Sequence, residues 1–394
     1  MAALEYWLWL SAAELSPRSR WAVIEHFGDA EAAFLSPDGA LAALPVLGRQ
    51  EAEELEKRDL TRARQVLAAC ARQELRPVSY ADPEYPARLR NIPAPPAVLY
   101  VKGHLPAIDE NAPIAVIGTR KATPYGLKMA RELSWQIASC GGIVISLPGS
   151  AIDTASVKAA LQAGGTVVGV LGTAHEQERS ERFDAICQAG ALVSEYAPGT
   201  IGQKHFFRER NRIAAGLSVG VVVVEAPEKS GTRLFADEAA EQGKEIFAVP
   251  GNADAGSSAG TLELLKEGAR LATCGWDVMS EFAPLYPERI RLSQKPTAPE
   301  IEETPREPAK PLPPRAEKQP PPKPENLRKQ LEGLNPEQLS IVTALSGEAL
   351  HIDDLIEKTG LSTATVLAQM TMLEIRGYVR REPGRRYSLN LRRK

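Results

Sequence analysis

Between residues 98 and 249 the sequence returns repeatedly to short apolar runs with no polar interruption. They are Val98-Leu-Tyr-Val101, Ile114-Ala-Val-Ile117, Ile143-Val-Ile145, Val167-Val-Gly-Val-Leu171, Ala191-Leu-Val193, Val219-Gly-Val-Val-Val-Val224 and Ile246-Phe-Ala-Val249. Rich in β-branched residues, such runs read as strands buried on both faces. Stretches with helical spacing lie between most of them, for example Ala155 to Ala163 and Leu234 to Gln242. Alternation of this kind specifies an α/β fold, a Rossmann-like, doubly wound, mostly parallel sheet. Ligands in such sheets bind outside the carboxyl ends of the strands. Function is therefore sought in the loops that follow the apolar runs.

The loop after Ile117 reads Gly118-Thr119-Arg120-Lys121-Ala122-Thr123-Pro124-Tyr125-Gly126, and a helical pattern follows through Leu127, Met129, Leu133 and Ile137. A strand entering a helix through a glycine turn gathers free backbone N–H groups and the positive end of the helix dipole at one place, a site for an anion. Arg120 and Lys121 add two charges. The loop is neither G-x-G-x-x-G nor a P-loop. A phosphate-binding turn and a plain tight turn with two solvated bases both fit.

A second basic cluster, Phe206-Phe207-Arg208-Glu209-Arg210-Asn211-Arg212-Ile213, opens a helix just before the Val219 strand. Its arginines can clamp phosphates, and the phenylalanines offer faces for base stacking; a solvated helix start over two core aromatics is the plainer reading. Glu195 and Glu225 each follow a strand. With Ser230 and Gly231 they are possible crevice residues, or simply caps for the next helices. No histidine or cysteine spacing suits a metal, and no nucleophile motif is present. No cofactor is implied.

Lys and Arg total 47 against 50 Asp and Glu, a net charge of −3, so any nucleic-acid site must arise from local clustering. Residues 1–75 read as a small helical domain, of SAM or helix-hairpin-helix type, with Leu44-Pro-Val-Leu-Gly48 and Ala52 as a loose hairpin signal. The α/β core occupies 76–285. Residues 286–332 form a proline-rich tether. Residues 333–394 show helix-turn-helix spacing followed by a hairpin through Pro383-Gly384, the winged-helix plan. This end is locally basic, at Arg376, Arg380, Arg381, Arg385, Arg386, Arg392, Arg393 and Lys394, yet its recognition helix offers only Gln369 for base reading. Backbone DNA contact and protein docking are both open. Four scattered cysteines, no signal-peptide pattern and no membrane-length run make a reducing cytoplasm the expected location.

Taken together, the segments resemble the DNA-processing protein A (DprA/Smf) family. The resemblance is carried by Asp82-Pro-Glu-Tyr-Pro86, Pro95-Pro96 through Gly103, Gly118 through Gly126, Ser194-Glu-Tyr196 and Phe207-Arg-Glu-Arg-Asn-Arg-Ile213. It continues in Val224-Glu-Ala226 with Ser230-Gly231, and in Val249-Pro-Gly-Asn252 with Ser258-Ala-Gly260. It implies a non-catalytic protein that binds and protects single-stranded DNA, acts as a homodimer and helps load the RecA recombinase in natural transformation. By position, Gly118, Thr119 and Arg120 with Arg210, Asn211 and Arg212 would hold the DNA backbone. The sequence departs from the family at Ser146-Leu-Pro-Gly-Ser-Ala-Ile-Asp153, which lacks a usual glycine, basic residue and following histidine, and at Phe235 and Leu262. The rival reading is hydrolysis of the N-glycosidic bond of nucleoside monophosphates on a similar fold. Those enzymes carry Pro-Gly-Gly-x-Gly-Thr where this chain has Val249-Pro-Gly-Asn252.

Overall fold

The structure, a computed structural model, describes residues 2–177, 180–292, 334–345, 350–376, 378–382 and 386–389. Its strands are β1 (Arg76–Ser79), β2 (Val98–Gly103), β3 (Pro113–Ile117), β4 (Ile143–Ser146), β5 (Val167–Val170), β6 (Ala191–Ser194), β7 (Gly220–Val223), β8 (Glu245–Ala248) and β9 (Arg270–Leu271). They form one sheet in the order β1-β2-β6-β5-β4-β3-β7-β8-β9. All neighbours from β6 to β9 are parallel. Only β2 against β6, and β1 against β2, run antiparallel. Each expected apolar run is a strand. The two unforeseen strands, β1 and β9, are short edge pieces with exposed residues and little pattern to read.

Among the described residues, twelve α-helices precede residue 290: α1 (Ala2–Ala12), α2 (Pro17–Phe27), α3 (Ala30–Phe34), α4 (Arg49–Glu56), α5 (Thr61–Gln73), α6 (Pro124–Ser139), α7 (Ala151–Gln162), α8 (Glu181–Ala189), α9 (Phe206–Leu217), α10 (Gly231–Glu241), α11 (Ala259–Lys266) and α12 (Gly275–Phe282). Alternate strand residues divide two cores. Ala115, Ile117, Ile145, Val170 and Val223 face α9, α10 and α11. Ile114, Val116, Val144 and Val222 face α6, α7, α8 and α12. Burial on both faces is what removes polar residues from the runs. No helix among the described residues is long and apolar enough to cross a membrane.

From β3 the chain adds β4, β5 and β6 outward on one side, then returns to place β7 on the other side of β3. Strand order reverses there, at the pairing of Ile117 with Val223. The chain leaves those residues for helices on opposite faces of the sheet, α10 and α6, the position of the ligand crevice in such folds.

The first five helices do not stand apart. Leu8, Leu10, Leu41 and Leu55 share a core with Val98 and Tyr100 of β2, and the Tyr100 hydroxyl lies 3.1 Å from Ser11 Oγ. The helical hairpin suggested around Gly48 is not formed, because turns rather than a helix precede Gly48, which caps α4. At the other end, chain assigned to the tether still packs on the core. Ile290 is buried, and Arg291 N–H donates to Cys140 C=O at 3.0 Å.

The C-terminal unit, described by itself, has helices at Pro336–Ala344, Ile352–Thr359 and Thr363–Ile375 and a three-stranded sheet, β10 (Leu350–His351), β11 (Val379–Glu382) and β12 (Arg386–Leu389), in the order β10-β12-β11. Asn335 and Ser362 cap their helices as their types predict. Gln369 is engaged internally, donating to Glu337 Oε2 at 3.0 Å and accepting from Gln338 at 2.9 Å. The helix therefore presents Leu367 and Met372 rather than a base-reading amide. Arg376 and Arg380 are exposed. The tether from 293, the Pro383-Gly384 turn, Arg385, Arg392, Arg393, Lys394 and the side chains of Arg381 and Arg386 lie outside the described residues.

Because α1 shares its core with β2, Leu8→Ala should lower the stability of helices and sheet together, by about 2–5 kcal/mol. Hydrogen exchange followed along a urea series checks this. Loss of protection in α1 to α5 while β3 and β7 keep theirs would refute the shared core.

Candidate nucleic-acid interface

At the point of reversal, β3 enters α6 through Gly118 to Thr123. Thr123 caps the helix, its Oγ1 accepting the Gly126 N–H at 3.1 Å, and Pro124 occupies the first turn. The loop is tied to the end of β7. Val224 N–H donates to Ile117 C=O, and Thr119 N–H donates to Glu225 C=O, each at 2.9 Å. The Glu225 side chain, 2% exposed, turns to the start of α6. Thr123 donates to it twice, from N–H to Oε2 at 2.9 Å and from Oγ1 to Oε1 at 2.5 Å. Gly126 makes this approach possible, since a β-carbon there would overlap the carboxylate.

The anion that the sequence invites to this helix end is thus already present and belongs to the protein. Arg120 and Lys121 stay exposed at the tip of the loop. Tyr125 is 44% exposed, and its hydroxyl donates to Pro250 C=O at 2.7 Å. Ser230 caps α10, and Gly231 begins that helix on the far side of the crevice.

The second cluster is distributed differently from its spelling. Alternate positions on a helix turn by about 200°, so Arg208, Arg210 and Arg212 do three jobs. Arg208 is exposed at the rim. Arg210 straps two loops together, donating to Pro148 C=O at 3.1 Å and Val170 C=O at 3.4 Å, with its guanidinium 5.3 Å from the Phe207 ring centre. Arg212, a turn deeper than Arg208, is buried in an ion pair of 2.5 Å with Glu195. Glu195 also faces Arg20 of α2 at 3.6 Å. Neither Arg212 nor Glu195 presents its charge to the crevice. Asn211 is half-buried.

Phe206 stacks on Tyr196 with ring centres 3.9 Å apart and is core. Phe207 is 43% exposed and lies against the loop after β5, where Gly172 leaves room for its ring. Exposed Lys204 and His205 stand beside it. Lys204 escaped the sequence reading because it lies in a polar loop outside the helical cluster. One strand, β4, separates β3 from β5, so the β3 loop and the end of β5 that Phe207 and Arg210 reach arise about 10 Å apart.

Between the loops after β3 and β5 runs Ser146 to Ser150, at the end of β4. Pro148 is buried, its carbonyl held by Arg210, and Ser150 caps α7 by accepting the Asp153 N–H at 2.9 Å. Asp153 is 2% exposed. The Ser146 hydroxyl donates to its Oδ1, and Arg182 lies 3.6 Å from its Oδ2. Burial pushes the Asp153 carboxyl above its ordinary value, against the lowering effects of Ser146 and Arg182.

A carboxyl raised in the folded state contributes stability that is full below the ordinary carboxyl range, about 3.9, and is lost as pH rises through the raised value. Asp153→Asn should therefore be more stable than wild type at pH 7, the advantage vanishing as pH falls toward 4. Thermal unfolding across that range checks the sign. A less stable variant at pH 7 would mean that the Arg182 pairing outweighs burial.

The family model of DNA recombination-mediator protein A matches residues 76–283, and that of the DprA winged helix domain matches residues 314–385. DNA processing protein DprA of Bacillus subtilis is 36% identical over 228 residues, 57% of this chain and 75% of its own length. Protein Smf of Synechocystis is 29% identical over 394 residues, covering 97% of this chain and 98% of its own. The X-ray structure of DNA processing protein A from Streptococcus pneumoniae superposes with a TM-score of 0.56 at 30% identity, over 69% of this chain and 95% of that one. The chain belongs to the DNA recombination-mediator protein A family, the DprA/Smf proteins.

Proposed function

We propose that this protein binds single-stranded DNA along the carboxyl edge of its sheet, without performing chemistry on it. One observation carries the reading: the exposed bases Arg120 and Lys121 on one side of β4, and Lys204 and Arg208 on the other, flank a floor, Ser146 to Ser150, that carries no ionisable side chain. Two separate basic lips suit successive phosphates of a polymer better than one small anion. Phe207 and Tyr125, both part-exposed beside the lips, supply faces on which unpaired bases stack. Duplex DNA keeps its base faces covered. Membership of a DNA-processing family supports the same ligand.

In keeping with that family, the bound strand is held for recombination and handed to the RecA recombinase, with the protein acting as a dimer in the cytoplasm. The hydrolase reading is disfavoured by Glu225. A general acid or base must be free to meet its substrate, whereas both Glu225 oxygens are committed to Thr123.

Anisotropy titration of single- and double-stranded oligonucleotides over a salt series tests the assignment. Each phosphate contact removed should flatten the log K against log salt slope by about 0.7 for a single strand. Arg120→Ala and Arg208→Ala should weaken binding and flatten the slope. Arg212→Ala should instead lower stability by about 3–5 kcal/mol, because it leaves Glu195 less compensated. Phe207→Ala should weaken binding by about 1–3 kcal/mol with no change of slope. Unaltered curves for both exposed arginines would overturn the site.

A further inference from the structure

We propose that Glu225 is a positioning and selectivity residue that restricts this site to the interior of a DNA strand, refusing free nucleotides and terminal phosphates. The proposal rests on the single-strand reading above and names which part of the strand is read. Three observations meet at one place. The start of α6, beside the strand-order reversal, is where doubly wound folds receive the phosphate of a nucleotide. Glu225, 2% exposed, fills that place with its own carboxylate and takes both the N–H and the hydroxyl of Thr123. Gly126 provides the space, and the Glu225 carbonyl takes the Thr119 N–H as well.

A phosphate monoester seeking the helix end would have to displace this buried carboxylate or lie against it as a like charge. Phosphodiesters meet no such obstacle. Their charge is satisfied from outside, by Arg120 and Lys121 at the exposed tip of the same loop. The two ties to Thr119 and Thr123 also bracket those bases, so Glu225 holds the loop that presents them.

The test uses the full-length protein and short oligonucleotides of about eight nucleotides, near the size of one binding groove, bearing either a 5′-hydroxyl or a 5′-phosphate. Wild type should bind the two within about twofold, and adenosine 5′-monophosphate should not compete. Glu225→Ala opens the helix end. It should bind the 5′-phosphorylated strand about tenfold more tightly than its 5′-hydroxyl twin, and the monophosphate should now compete. The same variant should bind the 5′-hydroxyl strand more weakly than wild type, because its loop loses both ties at Thr123. Glu225→Gln fills the space and keeps an acceptor for the Thr123 N–H, so it should restore 5′-hydroxyl binding without creating phosphate selectivity. A preference of wild type for the phosphorylated end would overturn the proposal, as would a folded Ala variant without selectivity. Should the Ala variant fail to fold, the wild-type comparison and the Gln variant decide. Failure of wild type to bind either strand would overturn the single-strand reading, and this proposal with it.

Discussion

Three acids buried at the carboxyl edge of the sheet, Glu225, Glu195 and Asp153, govern what that edge can do. A parallel sheet gathers helix N-termini on one side, and their dipoles give that side a standing positive potential. Here much of it is answered internally. Glu225 meets the start of α6, Asp153 lies in the first turn of α7, and Glu195 sits between Arg212 and Arg20. A buried charge is tolerated only when paired and hydrogen-bonded, so each acid fixes the loop that supplies its partner. The edge is consequently tied internally where it is buried, while the exposed bases Arg120, Lys121, Lys204 and Arg208 stand outside those ties.

That division separates this arrangement from a nucleotide-binding crevice on a related plan. A mononucleotide site keeps the backbone donors of the first βα turn open for phosphate. In this chain those donors are drawn inward, and the cations available to a ligand stand at loop tips and at the rim of α9. The altered segment Ser146–Asp153 fits the same logic. It contributes a carbonyl to Arg210 and a buried acid to the α7 start, and so shapes the floor between the lips without adding exposed charge to it.

Glu195 links parts that are distant in sequence. Arg20 reaches it from α2 while also donating to the carbonyls of Leu10, Ala13 and Leu15. The same carboxylate holds Arg212 of α9, whose first turn carries Phe207 and Arg208. The helical segment is therefore joined to the basic lip by charge as well as by the apolar contacts of Tyr100 with α1.

How much was legible in advance differs between scaffold and site. Uninterrupted Val and Ile runs determined the strands, because only strands covered on both faces exclude polar residues over that length. Pro124, Ser230, Asn335 and Ser362 marked helix starts through local chemistry that needs no tertiary partner. Edge strands β1 and β9 left no pattern because they are short, β1 only half buried and β9 exposed. The basic clusters were also visible as composition. What composition could not show is which cations remain free. Arg208 and Arg212 are spelled alike, but one reaches the rim and the other a buried acid from a different strand. Glu225 read as a crevice residue, and only the pairing of β7 beside β3 brings its carboxylate to Thr123, a hundred residues earlier. The sequence by itself determined the layers, the strand positions and the presence of charge. Tertiary structure alone decided which charges are cancelled, since that depends on strand order, and strand order is set by long-range packing rather than by any local pattern.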